Sequence, residues 1–168
     1  MSDTLGPRFA PGAFRLHTIL PFWLLPALFV GFCLIGLAFG GREERVTAGA
    51  LLFAYAATLV FRDRSWAGTQ WVTFGTDIAF LLLIGFIALR TRRYWPLFAA
   101  GFQLLGVATH TARVIDPYVH AWAYITAGVI WSHAVAASVA VGAINRRRER
   151  QLALANAPAM ADPGATRR

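Results

Sequence analysis

Asp77 stands inside residues 72–89, an apolar run with no other ionisable side chain. A charge carried to the middle of a bilayer costs roughly 2.5–3.5 kcal/mol on insertion scales, so such a group faces a partner, a water-filled cavity or a site. The polar residues able to meet it lie on the next apolar run. Gln103, Gly106, His110 and Arg113 follow at steps of three, four and three, which lines them along one helix face, and His120 opens the run after that. A carboxylate beside an imidazole can exchange a proton, hold a ligand or an ion, or simply clamp two helices. Clamps of this kind are worth about 0.6 kcal/mol on average in measured cases. Structural clamp, ligand or proton site and redox metal site all stay open on these residues.

The elements that carry them fix their depth. The connections at residues 90–94 and 113–117 are short, so the runs on either side form antiparallel hairpins. Counting from the first turn sets Asp77 level with Gly106 and puts His110 one helical turn farther out. Counting from the second sets His110 level with Trp122, close to His120. Asp77 is therefore expected to pair with His110 or Arg113, with His120 beside them, near the outer boundary of the membrane. Gly106 between the polar positions lets a neighbouring helix approach.

Those runs belong to a chain that is 57% hydrophobic and 14% aromatic, with its charges gathered between apolar stretches and not spread over helix faces. That distribution marks a membrane protein and leaves no separate soluble domain. Five apolar stretches can be drawn, at residues 19–39, 46–61, 72–89, 95–110 and 118–144. A helix needs roughly 20 residues to cross a hydrocarbon core about 30 Å thick. The first, third and fifth reach that length. The fourth does so if His110 to Arg113 sit at the interface, and the second, with sixteen residues, is short but uncharged. The expected fold is all-α, a polytopic transmembrane bundle of about five helices. It is framed by an N-terminal interfacial segment at 1–18, the bundle at 19–144, and a basic juxtamembrane segment with a disordered tail at 145–168.

Arginine sets the orientation, because the chain has no lysine. If all five stretches span, Arg42, Arg45, Arg90, Arg92, Arg93, Arg146, Arg147, Arg148, Arg150, Arg167 and Arg168 share one side. Arg8, Arg15, Arg62, Arg64 and Arg113 share the other. The positive-inside rule assigns the first side, and with it the C-terminus, to the cytoplasm. The side of the N-terminus stays open, since it depends on whether the second stretch spans. Residues 19–39 are longer than a signal-peptide core and contain Pro21 and Pro26, so they read as a retained helix, with Pro26 expected to kink its early turns.

The remaining candidates are weaker. His110 and His120 could ligate one haem iron only from opposite faces, which a tight hairpin makes awkward. His120 and His133 are thirteen residues apart, about 140° around a helix, and share no face. His17 reads as an interfacial histidine. Cys33 is a lone packing thiol, and no CxxC, HExxH, phosphate loop or nucleophile elbow occurs. No cofactor or metal is expected. Gly128, Ser132, Ala136 and Ala140 form a small-xxx-small stripe that permits close backbone approach, within the chain or against another subunit. Trp66, Trp71, Tyr118 and Trp122 fall toward the outer side and Tyr94 and Trp95 toward the inner, as interfacial belts do, while mid-helix Trp131 packs inside. The cluster Arg146, Arg147, Arg148, Glu149 and Arg150 enforces topology and attracts anionic headgroups, and from Asn156 onward the composition reads as disordered. Nucleic-acid binding is not expected of charges placed this way.

The stretch from 41 to 113 is similar to a loose group of small multi-pass inner-membrane proteins of high-GC bacteria with no assigned activity. The shared pattern is an Asp in one helix, an Arg-rich turn, an aromatic-Pro start, then Gln, His and Arg. Here these are Asp77, Arg90 to Arg93, Trp95 with Pro96, Gln103, His110 and Arg113. The resemblance implies a membrane protein and no particular activity. The sequence thus points first to a non-enzymatic inner-membrane protein, alone, as a homo-oligomer or as an accessory subunit of a larger membrane complex, with the lipid bilayer as its other partner. A small proton-linked carrier using the Asp77 and His110 cluster is the alternative, and a haem- or quinone-associated protein the second.

Overall fold

The computed structural model describes residues 23–61, 71–116 and 118–161. The 1–18 segment with His17, the position of Pro21, residues 62–70 with Arg62, Arg64 and Trp66, and residues 162–168 lie outside the described residues. Five helices and no strands occur among those described: α1 (Leu24–Phe39), α2 (Arg42–Phe61), α3 (Trp71–Arg90), α4 (Trp95–Ile115) and α5 (Ala121–Ala161).

Local chemistry explains the boundaries. α1 begins at Leu24, which places Pro26 in its first turn, where a missing N–H costs nothing, so Pro26 starts a helix instead of kinking one. Gly40 ends α1, its N–H bonded to Gly36 O at 3.1 Å. Gly41 then precedes α2 directly, and Glu44, three residues on, reaches back to accept the Gly41 N–H at 2.7 Å, half of a capping box. This cap adds a turn before the apolar run, so α2 has 20 residues where its uncharged stretch has only sixteen. At the far side of α4, Asp116 accepts the Tyr118 N–H on Oδ1 at 2.9 Å and turns the chain into α5.

α5 is 41 residues long, about 60 Å and twice the thickness of the hydrocarbon core. It does not stop at Ile144 or at Asn156, because the segment after Asn145 is rich in Arg and Ala, both good helix formers. The helix therefore carries the basic cluster, and part of the expected tail, as one continuous rod.

The helices close into a ring in chain order, α5 returning to pack on α1 as well as α4 and also touching α2. α2, α3 and the Ala121–Asn156 part of α5 are long and apolar enough to cross a membrane. Leu89 is 89% exposed, Phe53 74% and Leu82 69%, an outer surface that is stable in lipid and not in water. The hydroxyls follow the same logic. Thr111 is exposed and Thr76 and Thr109 are half-buried, and each donates to a backbone carbonyl four residues back, at 2.7–2.9 Å, so none depends on water.

The two ends of the bundle differ. At the arginine-rich end, Ala48, Ile87, Trp95, Ala99 and Val139 are buried in one packed cluster, and Ala143 is buried as well. Cys33 is packed in the same core as a free thiol. Gly142 is required there: a Cβ on it would stand 2.5 Å from the indole of Trp95. At the other end the helices part around a cavity.

Candidate functional site

Asp77 and His110 meet. His110 Nε2 lies 3.1 Å from Asp77 Oδ2, and the opposite ring atom, Nδ1, lies 2.7 Å from the hydroxyl of Tyr124 on α5. Residue counting puts His110 a turn beyond Asp77, and the side chains close that gap. Helical side chains lean toward their own N-terminus, so on antiparallel α3 and α4 the two lean toward each other. Asp77 accepts from Nε2–H, which leaves Nδ1 of a neutral ring as the acceptor for the Tyr124 O–H. A single hydrogen-bonded chain, Tyr124 to His110 to Asp77, thus joins three helices.

The surrounding contacts hold this chain in place. Gln103 Nε2 donates to the backbone carbonyl of Asp77 at 3.2 Å, tying α4 to α3 one level deeper. Phe74, one turn before Asp77 on the same face, stacks on the His110 ring at 5.4 Å and 19°. Tyr124 meets the ring edge-on at 5.2 Å, and the buried Arg113 guanidinium sits 5.9 Å from the Tyr124 ring centre. Of the two partners open to Asp77, the side-chain contact shown is to His110. Gly106 is buried where α5 crosses, with the Cβ of Trp131 against it.

His120 does not join them. Its side chain is exposed ahead of the first turn of α5, so the His110 and His120 pair that a shared iron would need does not form. No group of three His, Cys, Asp or Glu able to hold a metal occurs among the described residues. His133 lies farther along α5, its Nδ1 2.7 Å from Val129 O and its Nε2 2.9 Å from Leu25 O on α1. A neutral ring donates to only one of those carbonyls at a time.

Asp77, Gln103, His110, Tyr124 and His133 all line the same cavity of about 320 Å³. Its remaining wall is mostly apolar, with Leu25, Pro26 and Phe29 from α1, Leu51 and Leu59 from α2, and Phe80 from α3. Tyr55, Thr58, Thr73 and Ser132 add hydroxyls. The small-residue stripe divides accordingly. Gly128 and Ser132 face the cavity, while Ala136 and Ala140 are buried in the helix packing of this chain.

A second polar cluster, not anticipated, closes the other end. Glu44 is completely buried. It accepts the Gly41 N–H on Oε2 and the Trp95 indole N–H on Oε1 at 3.1 Å, with Arg146 3.7 Å away. Arg146 also reaches Glu43 at 3.3 Å. Trp95 is therefore a buried hydrogen-bond donor and not part of an interfacial belt, whereas Trp71, Tyr94, Tyr118 and Trp122 are exposed as a belt requires. The available signal was Glu44 three residues after Gly41, a capping spacing. Tyr124 was also missed, although it stands four residues before Gly128 and so continues the stripe by one turn.

The geometry describes a membrane-embedded pocket with an apolar wall and one hydrogen-bonding corner. Comparison with protein-family models, curated proteins and solved structures gives no match for this chain.

Proposed function

We propose that this chain is a small multi-pass inner-membrane protein that binds a compact, largely apolar molecule carrying one hydrogen-bonding group. The body of the ligand fills the cavity and its polar group meets Asp77, His110 and Tyr124. One observation carries this reading: the three side chains form part of the wall of a cavity of about 320 Å³. A pure helix clamp needs no such space, and cavities of this size and lining are where small molecules bind. Both donors of the Tyr124–His110–Asp77 chain are used within it, so the corner offers acceptor oxygens on Asp77. A quinol or another flat hydroxyl-bearing ring, which brings its own O–H, has the required character. On the positive-inside rule the packed arginine-rich end faces the cytoplasm and the cavity lies toward the opposite side.

A proton-linked carrier is the second reading, favoured by the unbroken Tyr124–His110–Asp77 chain, along which a proton can shift. It requires the packed end to open during the cycle.

Gentle purification followed by mass spectrometry of both protein and organic extract tests the proposal. A small molecule recovered near one per chain, and lost in Gly128→Leu, supports the site. Gly128 is the chosen position because it lines the cavity and a Cβ there meets nothing within 4 Å, so a larger side chain takes up cavity space without replacing any residue of the polar corner. Equal small-molecule content in wild type and Gly128→Leu overturns the proposal. The same preparation reads out an accessory role, as stoichiometric recovery of other subunits.

A further inference from the structure

The arginine-rich end carries a second binding feature, independent of the cavity. Nine arginines of the described residues belong to this end: Arg42, Arg45, Arg90, Arg92, Arg93, Arg146, Arg147, Arg148 and Arg150. Three carboxylates accompany them, and each is committed. Glu43 and Glu44 face Arg146 at 3.3 and 3.7 Å, and Glu149 faces Arg93 at 3.0 Å. Among the described residues no carboxylate pairs with Arg147 or Arg148.

These two arginines are exposed, but both border one groove. They stand at its head, between the end of α1 and α5, together with Gln151, above a floor of Ile35, Phe39 and Ile144. The spacing makes the groove: Ile144, Arg147, Arg148 and Gln151 follow at i, i+3, i+4 and i+7 on α5, and Ile35 and Phe39 at i and i+4 on α1. The Arg147 guanidinium lies 4.3 Å from the Phe39 ring centre, which fixes it over the apolar floor. Phe39 and Ile144 are the last apolar residues before Gly40 and Asn145, so the groove crosses the level where hydrocarbon gives way to headgroups.

We infer that this groove is a binding site for one anionic phospholipid. Its phosphate is held by Arg147 and Arg148, and an acyl chain runs along Ile35, Phe39 and Ile144. Charge complementarity selects the headgroup, since a zwitterionic lipid brings a cation of its own to a place that already has two. The apolar floor directly beneath the arginines selects a lipid over a soluble anion.

The test is native mass spectrometry of the full chain in detergent, titrated with phosphatidylglycerol, phosphatidylcholine or inorganic phosphate. Wild type is expected to retain one phosphatidylglycerol at least fivefold more tightly than phosphatidylcholine. R147Q together with R148Q is expected to erase that preference. R45Q together with R92Q removes the same charge from exposed positions elsewhere on this end and is expected to keep it. R147K with R148K, which preserves charge, is expected to keep most of it, so the comparison survives if the glutamine pair folds poorly. Equal loss in both glutamine pairs would mean diffuse attraction and overturns the site. Equal retention of the two lipids overturns it as well, and competition by inorganic phosphate at millimolar concentration overturns the assignment to a lipid. The Gly128→Leu protein is expected to bind phosphatidylglycerol as wild type does, which separates this site from the cavity.

Discussion

The indole N–H of Trp95, the first residue of α4, donates to Oε1 of Glu44 in the first turn of α2 at 3.1 Å, fully inside the bundle. Two helices distant in sequence are thereby joined through one buried carboxylate, which the Gly41 N–H and Arg146 also approach. Trp95→Phe keeps most of the ring volume and leaves that oxygen without its donor. The expected cost is about 1–3 kcal/mol, the usual penalty for stranding a buried acceptor. Unfolding in detergent measures it, and an unchanged midpoint would refute the assigned bond.

Gly142→Ala is expected to cost about 1–3 kcal/mol as well, for a steric reason. The new methyl meets the rigid indole of Trp95, which Glu44 holds in position. Combining Gly142→Ala with Trp95→Phe should recover part of the loss, because the two residues share one contact. Fully additive losses would argue that the glycine serves another neighbour.

Two positions of the small-residue stripe should respond in opposite ways. Ala136→Leu overfills a completely buried position and is expected to lower stability by about 1–3 kcal/mol in the isolated protein. Gly128→Leu enters open space and is expected to leave the melting temperature unchanged or raise it. If Ala136→Leu altered only oligomer size and not stability, the stripe would be a face between copies after all.

A double-mutant cycle on Asp77→Asn and His110→Gln measures the central pair. Coupling energies of this type average about 0.6 kcal/mol and reach about 1.7 in membrane helices. A value in that range is expected. Zero coupling would mean that the 3.1 Å contact contributes nothing to the fold, and any conserved effect on ligand retention would then rest on binding alone.

Arg93→Gln supplies the contrast. Its partner Glu149 is 62% exposed, so solvent and salt screen the pair, and the expected loss is about 0–1 kcal/mol. A larger effect would show that the extension of α5 is anchored through this contact.

Much of the fold is legible in the sequence because lipid makes few demands but strict ones. Apolar runs separated by arginine and glycine delimit five helices, and α3 begins and ends within one residue of its apolar run. Asp77 and His110 could be paired on paper because a short turn fixes the register of a hairpin and the period of a helix does the rest. His120 could not be placed the same way: it precedes the first turn of α5, and its direction depends on the Asp116 turn, not on helical periodicity. Glu44 was hidden by its neighbours. Flanked by Glu43, Arg42 and Arg45, it reads as one more interfacial charge, and only the packing of α4 and α5 over Gly41 and Gly142 takes it out of solvent. The continuation of α5 past Ile144 was obscured for a related reason: hydropathy reports where lipid ends and says nothing about where a helix does.

Among the described residues the bundle is tightly packed at the arginine-rich end and hollow at the other. If the proposed ligand enters from the hollow end, its occupancy would track the concentration on that face of the membrane and be indifferent to the other. On that proposal the hydrogen bonds around Glu44 would act as its floor, and a carrier cycle would require them to break.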